Sequence, residues 1–195
     1  ARAGAAGALA ERTGPSGLPV VQVQDSLVAL QRAARQWRHR FAAPLIGVAG
    51  SNGKTSTKEM LAAILAQRGP TLATRGNLNN HIGVPLTLLE LEQGHRHAVI
   101  EMGANHPGDV AELAGIALPT IGLVTNAGAE HLEGFGSLED VAQTKGELLD
   151  SLAAGDTAVL NHDDSFFAEW AARIGAAQLL SFGLSSEADY RAENI

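Results

Sequence analysis

Apolar and polar positions along this chain switch repeatedly between two periods, and the switches mark out its elements. Short apolar runs at 44–49, 98–102, 121–125, 157–160 and 178–182 read as buried strands, with a shorter one at 71–74. Between them, apolar residues spaced three and four apart predict helices over 56–68, 82–91, 107–114, 138–152 and 164–173. In the first of these, Met60 and Ile64, like Leu61 and Leu65, stack at i,i+4, and Gly69-Pro70 closes the helix. Pro107 stands where a helix tolerates proline, at its start. Strand alternating with helix predicts right-handed βαβ units. The fold class is therefore α/β, a three-layer, mainly parallel sheet with ligands outside the carboxyl ends of its strands.

The front of the chain follows another rhythm. Residues 1–19 are rich in Ala and Gly, carry Pro15 and Pro19, and read as a remnant or tether. Val20 to Val23 suits one short strand. Asp25 or Ser26 can cap a helix running to about Arg40, with Leu27, Leu30, Ala34 and Trp37 along one face. Its arginines at 32, 35, 38 and 40 read as a solvated face. Composition shifts beyond Phe41, which divides the chain into 1–43 and a main domain at 44–195.

Composition narrows the classes open to such a chain. With 195 residues, 45% hydrophobic and 18% charged, it can bury a sizeable core. It has no cysteine, so disulfides and thiolate metal sites are excluded, and a cytoplasmic setting is compatible. A net charge of −7 without a dense basic run argues against a nucleic-acid surface. No apolar run approaches the roughly 18 residues of a membrane span. The start, Ala1-Arg2-Ala3-Gly4, lacks Met and the apolar centre of a signal peptide, so the chain reads as cut from something longer.

Candidate chemistry begins at the end of the first main-domain strand. Leu45-Ile46-Gly47-Val48-Ala49 runs into Gly50-Ser51-Asn52-Gly53-Lys54-Thr55-Ser56 and then a helix. Glycines let backbone N–H groups wrap a phosphate closely, and the following helix aims its positive end at the same anion. Lys54 can reach β- and γ-phosphates, and the Thr55 hydroxyl can bind Mg²⁺. The full Walker pattern wants a further glycine where Val48 stands, so G-x-x-G-K-T gains its weight from the strand before it and the helix after it. The alternative is a glycine turn with an incidental surface lysine.

The fold rule carries other polar residues to the same edge. Val99-Ile100-Glu101-Met102-Gly103 ends in a carboxylate, and Leu123-Val124-Thr125-Asn126 ends in an amide followed by His131 in a glycine-bearing loop. A carboxylate beside a phosphate loop suits Mg²⁺, which prefers oxygen ligands and keeps water. A solvated strand end for Glu101 and a capping or packing role for His131 are the plainer readings. Asn79, Asn80 and Asn126 fit a place near a γ-phosphate or an acyl end, yet asparagine is also the ordinary turn and cap residue. Asn161-His162-Asp163-Asp164 reads simply as a turn with an N-cap. His81, His106 and His162 lack any regular ligand spacing, which argues against a histidine zinc site.

These residues carry a family resemblance. Gly50 to Ser56 resembles the ATP loop of the Mur ligases, which also lack the first Walker glycine. Arg75-Gly76-Asn77-Leu78-Asn79-Asn80-His81-Ile82-Gly83-Val84-Pro85 resembles the next family block. Glu101 to Ala104, Thr125-Asn126 through His131, and Gln143-Thr144-Lys145-Gly146-Glu147 resemble the third, fourth and fifth, all in order. The Gly-Asn-Leu-Asn-Asn block and the His-Leu-Glu-Gly-Phe-Gly-Ser run resemble the branch that joins D-alanyl-D-alanine to a UDP-N-acetylmuramoyl tripeptide.

The resemblance implies an ATP-dependent ligase of the cytoplasm that works through an acyl phosphate in peptidoglycan precursor synthesis. It implies that Lys54 holds the β/γ-phosphates while Thr55 and Glu101 bind one Mg²⁺. His131 would ligate a second metal, and Lys145 matches a lysine that family members carry as a carbamate, an oxygen ligand. It further implies that 1–43 is the tail of a UDP-substrate domain with its linker helix. Residues 44–195 would then be most of the central ATPase domain, and the family's adenine-contacting segment and C-terminal domain lie outside this sequence. Another Mur step, a folylpolyglutamate-type synthetase and a non-catalytic nucleotide-binding module stay open. A GTPase would show Asn-Lys-x-Asp after a strand, and the sequence has none.

Overall fold

Leu45–Ala49, buried at every position, is the strand around which the others assemble, as its unbroken apolar run predicts. A computed structural model describes residues 4–12, 17–129 and 135–193. In chain order its elements are β1 (Ala8–Ala10), β2 (Val20–Gln22), α1 (Ser26–Arg38), β3 (Leu45–Ala49), α2 (Lys54–Ala66), β4 (Thr71–Ala73) and α3 (Gly83–Leu89). There follow β5 (His97–Glu101), α4 (Asp109–Ala117), β6 (Ile121–Val124), α5 (Leu138–Asp150), β7 (Thr157–Asn161), α6 (Phe167–Arg173), β8 (Gln178–Gly183) and β9 (Tyr190–Arg191).

Among the described residues the main sheet has seven strands in the order β4-β5-β3-β6-β7-β8-β9, each parallel to its neighbour. The α/β class with a mainly parallel sheet is therefore the observed one. From β3 the chain first winds to one side, through β4 and β5, and then crosses to the other, at β6. The reversal leaves a crevice beyond the carboxyl end of β3, which is where open α/β sheets bind ligands.

The two faces of the sheet are covered unequally. On one, Leu45, Ala49, Ile100 and Val124 join residues of α1, α3, α4, α5 and α6 in a continuous core. On the other, Leu61 and Leu65 of α2 pack against Ile46, Val48, Val99 and Leu123, while Met60 and Ile64 of that helix stay exposed. Helix α5 lies close over the centre of the sheet because two strand positions lack side chains. A Cβ at Gly47 would stand 2.9 Å from Leu148 Cδ1, and one at Gly122 would stand 3.2 Å from Leu148 Cγ.

Several details differ from the sequence expectation. A last strand forms at Tyr190–Arg191, α4 begins at Asp109 beyond Pro107, and α6 begins at Phe167. Ala8–Ala10, within the supposed tether, pairs in parallel with Val20–Gln22. Alanine is a poor strand former, so the pairing is set by the partner's backbone and leaves no sequence period. Helix α2 begins at Lys54, two residues early, because Gly53 (φ 78°) takes the N-cap. Arg38 is not solvated: it is 6% exposed and donates to the carbonyls of Phe41, Ala43, Ala117 and Leu118. Helix α1 itself packs into the main core through Ala34, and Trp37 Nε1 donates to Leu91 O at 3.0 Å. Among the described residues no helix is long and apolar enough to cross a membrane.

Candidate phosphate-binding site

The turn after β3 is held open by its neighbour β6. Gly50 has φ 132°, and a Cβ there would fall 2.0 Å from Thr125 Oγ1, so only glycine fits. Ser51 N donates to Asn126 O at 2.9 Å, and Asn52 N donates to Asn126 Oδ1 at 3.0 Å. Asn126 Nδ2 and Thr125 Oγ1 both donate to Asn52 O, at 3.0 and 2.8 Å. Ser51 Oγ donates to Gly128 O and accepts from Gly128 N. Asn126 thus braces the loop from behind. At the front, Gly53 offers no capping side chain, so the first N–H groups of α2 face outward uncapped. Lys54 Nζ folds over the turn and donates to Gly50 O and Ser51 O, both at 2.7 Å. Thr55 and Ser56 are exposed at the helix start.

Glu101 arrives at the same rim. Its backbone is in register with Val48 on the adjacent strand, and Met102 N donates to Val48 O at 2.9 Å. The side chain is 2% exposed. Its Oε1 accepts from Asn79 Nδ2 at 2.8 Å, whereas Oε2 has no hydrogen-bond partner among the described residues. A buried carboxylate oxygen without a donor is costly unless a cation meets it. These residue types suit Mg²⁺, a hard cation that takes oxygen ligands: one carboxylate, and the Thr55 hydroxyl at the start of α2. Among the described residues no three His, Cys, Asp or Glu side chains gather into a cage of their own, which a phosphate-borne Mg²⁺ does not need.

A cavity of about 240 Å³ opens beside Lys54, lined by Asn77, Asn79, Asn80, His81 and Asn105 among others. Asn80 also caps α3, its Oδ1 accepting from Ile82 N and Gly83 N at 3.1 and 2.9 Å. His81 Nε2 lies 3.2 Å from Glu112 and 3.6 Å from Asp109, so α4 is tied to the asparagine loop. Of the three asparagines, Asn79 therefore touches the carboxylate, Asn80 forms a cap at the cavity wall, and Asn126 supports the phosphate loop.

Lys145 lies on α5, fully buried, with Nζ 5.2 Å from the centre of the Phe135 ring. It sits one turn before Leu148, which covers Gly47 and Gly122, so it lies about 4.5 Å nearer the carboxyl rim. Its neighbour Glu147 caps α4, accepting from Gly108 N and Ala111 N at 2.8 and 2.9 Å. That role follows the rule that acidic groups settle at helix N-termini, but nothing in the sequence pairs Glu147 with that particular helix. His131 lies outside the described residues. The Asn161–Asp164 stretch leaves β7 through a turn, as expected, but it does not supply the N-cap: α6 starts at Phe167 with Phe166 at its cap and no side-chain cap bond. It is also a brace: Asn161 Nδ2 donates to Thr125 O and Asp164 Oδ2 accepts from Ala127 N. Asp163 accepts from Leu184 N and Ser185 N, which holds its carboxyl below the usual range. Sequence reasoning missed Lys58 and Thr74. The signal for Lys58 was its place one turn beyond Lys54 on a helix whose inner face meets the sheet.

The chain is similar to known proteins in both sequence and fold. The family model of the Mur ligase middle domain matches residues 48–195. UDP-N-acetylmuramoyl-tripeptide–D-alanyl-D-alanine ligase of Escherichia coli (strain K12) is 44% identical over 197 aligned residues, covering 100% of this chain and 44% of that protein. The ligase of the same name from Synechocystis sp. (strain ATCC 27184 / PCC 6803 / Kazusa) is 48% identical over 162 residues, covering 83% of this chain and 36% of that one. In three dimensions the chain is similar to the MurF ligase of Thermotoga maritima in complex with ADP, at TM-score 0.83 and 33% identity over 95% of this chain and 43% of that one. The chain spans less than half the length of these relatives.

Proposed function

The chain belongs to the Mur ligase family, and on that premise we propose that it is the ATP-binding part of a ligase joining D-alanyl-D-alanine to a UDP-N-acetylmuramoyl tripeptide. The observation that carries this reading is the meeting of the Lys54 loop and the half-satisfied Glu101 carboxylate at one rim, with the asparagine-lined cavity beside them. Residues 1–43 would then lead in from the UDP-substrate domain, and residues 44–195 would form most of the central domain. The reaction would take place in the cytoplasm.

The chemistry follows from the residues at this rim. The α2 N-terminus and the backbone of Gly50–Gly53 bind the phosphates, and Lys54 Nζ exchanges its bonds to Gly50 and Ser51 carbonyls for β/γ-phosphate oxygens. Thr55 and Glu101 would hold Mg²⁺, whose charge would offset that of the γ-phosphate. The tripeptide carboxylate, entering through the cavity beside Lys54, attacks the γ-phosphorus and ADP departs, leaving an acyl phosphate. The amine of D-alanyl-D-alanine then adds to the acyl carbon, phosphate leaves, and the nitrogen gives up its proton. Positioning and charge neutralisation supply most of such a rate enhancement. On the family pattern, Lys145 as a carbamate and His131 would serve a second cation. Labelled bicarbonate giving a carbamate carbon signal that Lys145→Ala removes would support that part.

The test is Lys54→Met in the complete ligase. Loss of tripeptide- and D-alanyl-D-alanine-dependent phosphate release, with unchanged circular dichroism, is the expected result. Wild-type turnover in that variant would overturn the reading. Preference for glutamate or a free diamino acid over D-alanyl-D-alanine would move the chain to another branch of the family.

A further inference from the structure

Lys58 is fully buried on α2, one turn beyond Lys54. Lysine is seldom found there, since its charge must be met by good acceptors. Nζ donates to Thr74 O at 2.8 Å and to Glu59, whose side chain is largely exposed. Thr74 follows β4 directly and is 2% exposed. Its N–H donates to Val99 O at 3.0 Å, and its Oγ1 accepts from Glu101 N at 2.9 Å. Glu101 Oε1 accepts from Asn79 Nδ2, and Asn79 O accepts from Gly103 N, both at 2.8 Å. One run of hydrogen bonds therefore leads from the helix that carries Lys54 and Thr55 to the strand end that carries Glu101.

A methionine at position 58 would fill the same space without burying a charge. What the ammonium adds is a fixed link between α2 and the segment beyond β4. We propose that Lys58 and Thr74 are positioning residues for the magnesium carboxylate. They hold the end of β5 against α2, so that Glu101 and Thr55 keep the separation a small, geometrically demanding cation requires. This rests on the reading of Glu101 as a cation ligand.

The experiment measures ATP binding to the complete ligase by calorimetry, once with Mg²⁺ and once with EDTA. Lys58→Met and Thr74→Val are each expected to lower the magnesium-dependent gain in affinity by about tenfold or more, the usual effect of removing a group that orients a metal ligand. Affinity in EDTA should stay within about twofold, because phosphate binding by the loop is untouched. Thr74→Ser, which keeps the hydroxyl, should restore the gain. The double variant should be no weaker than the weaker single one, as for groups acting along one path. Should Lys58→Met fail to fold, the Val and Ser variants at 74 decide. Equal losses with and without Mg²⁺, or a folded Thr74→Val with the full magnesium gain, would overturn the proposal. Glu101→Gln separates the two levels: if it keeps the magnesium gain, the cation reading itself is wrong. If it loses the gain while both positioning variants keep it, only the positioning role falls.

Discussion

Arg38 directs its guanidinium at main-chain carbonyls from three places: the linker at Phe41 and Ala43, the last residue of α4 at Ala117, and its cap at Leu118. Leu118 has φ 50°, a left-handed conformation that ends α4 and turns its final carbonyls outward. A cation at that helix end is favoured by the dipole as well as by the donors it brings. Burial pulls the Arg38 pKa down from its ordinary value, yet a guanidinium stays charged in any protein setting. Replacing Arg38 by Met would remove the donor from one buried and three part-buried carbonyls, the buried one worth roughly 1–3 kcal/mol and the others less. We expect Arg38→Met to lower unfolding free energy by about 3 kcal/mol in urea titrations, a loss typical of a broken buried network. Arg38→Lys should recover less than half, because an ammonium cannot fork to acceptors on two sides. Full stability in the Lys variant would show that charge alone matters there.

Helix against helix, the most exacting junction lies between α5 and α6. Trp170 is fully buried and its Nε1 donates to Ala142 O at 2.9 Å. Arg173 donates to Gln143 O and pairs with Asp150, and that pairing raises its pKa. Both side chains lie against Gly146, where a Cβ would stand 2.7 Å from Arg173 Nη1 and 2.9 Å from Trp170 Cδ1. Arginine can swing away, but the tryptophan ring is enclosed. Gly146→Ala would gain about 1 kcal/mol in helix propensity. It would lose roughly 1–3 kcal/mol to overpacking. The net expectation is a loss of up to about 2 kcal/mol with altered tryptophan fluorescence, whereas a stabilised variant would mean that α6 shifts freely. This glycine also marks a limit of legibility. The strand and helix rhythm of the main domain was readable because each element's apolar period is clear and its turns carry Gly or Pro. β1 and the Tyr190–Arg191 strand were not, since Ala8-Leu9-Ala10 has no strand period and the exposed last strand has no apolar face. At the site, residue types suggested phosphate and cation chemistry, and the fold rule placed Glu101 beside the end of β3, where the structure has it. The asparagines could not be sorted in advance, because one amide serves equally as ligand, cap or brace: Asn80 caps, Asn126 braces and Asn79 meets the carboxylate.

At the scale of the whole molecule, the strand order gathers distant segments at one rim. The phosphate loop is laced to the segment after β6, and the segment after β5 is laced to Asn79. Nucleotide binding should therefore be felt by all three at once. If ATP·Mg²⁺ is held at this rim, a concentration of 100 times Kd adds about 2.7 kcal/mol to stability by linkage alone. The gain should appear as slowed amide exchange at 50–56, 101–105 and 125–128, the segments whose N–H groups and braces meet there. The loops entering the strands at the other rim, such as 41–44 and 93–96, open by local fluctuations that the ligand does not touch, so their exchange should hardly change. A map of protection centred on those entry loops, near Arg40 and Arg96, would place the nucleotide at the wrong end of the sheet. It would overturn the assignment of the glycine turn more directly than any loss-of-binding variant, because it reports where the ligand sits rather than whether it binds.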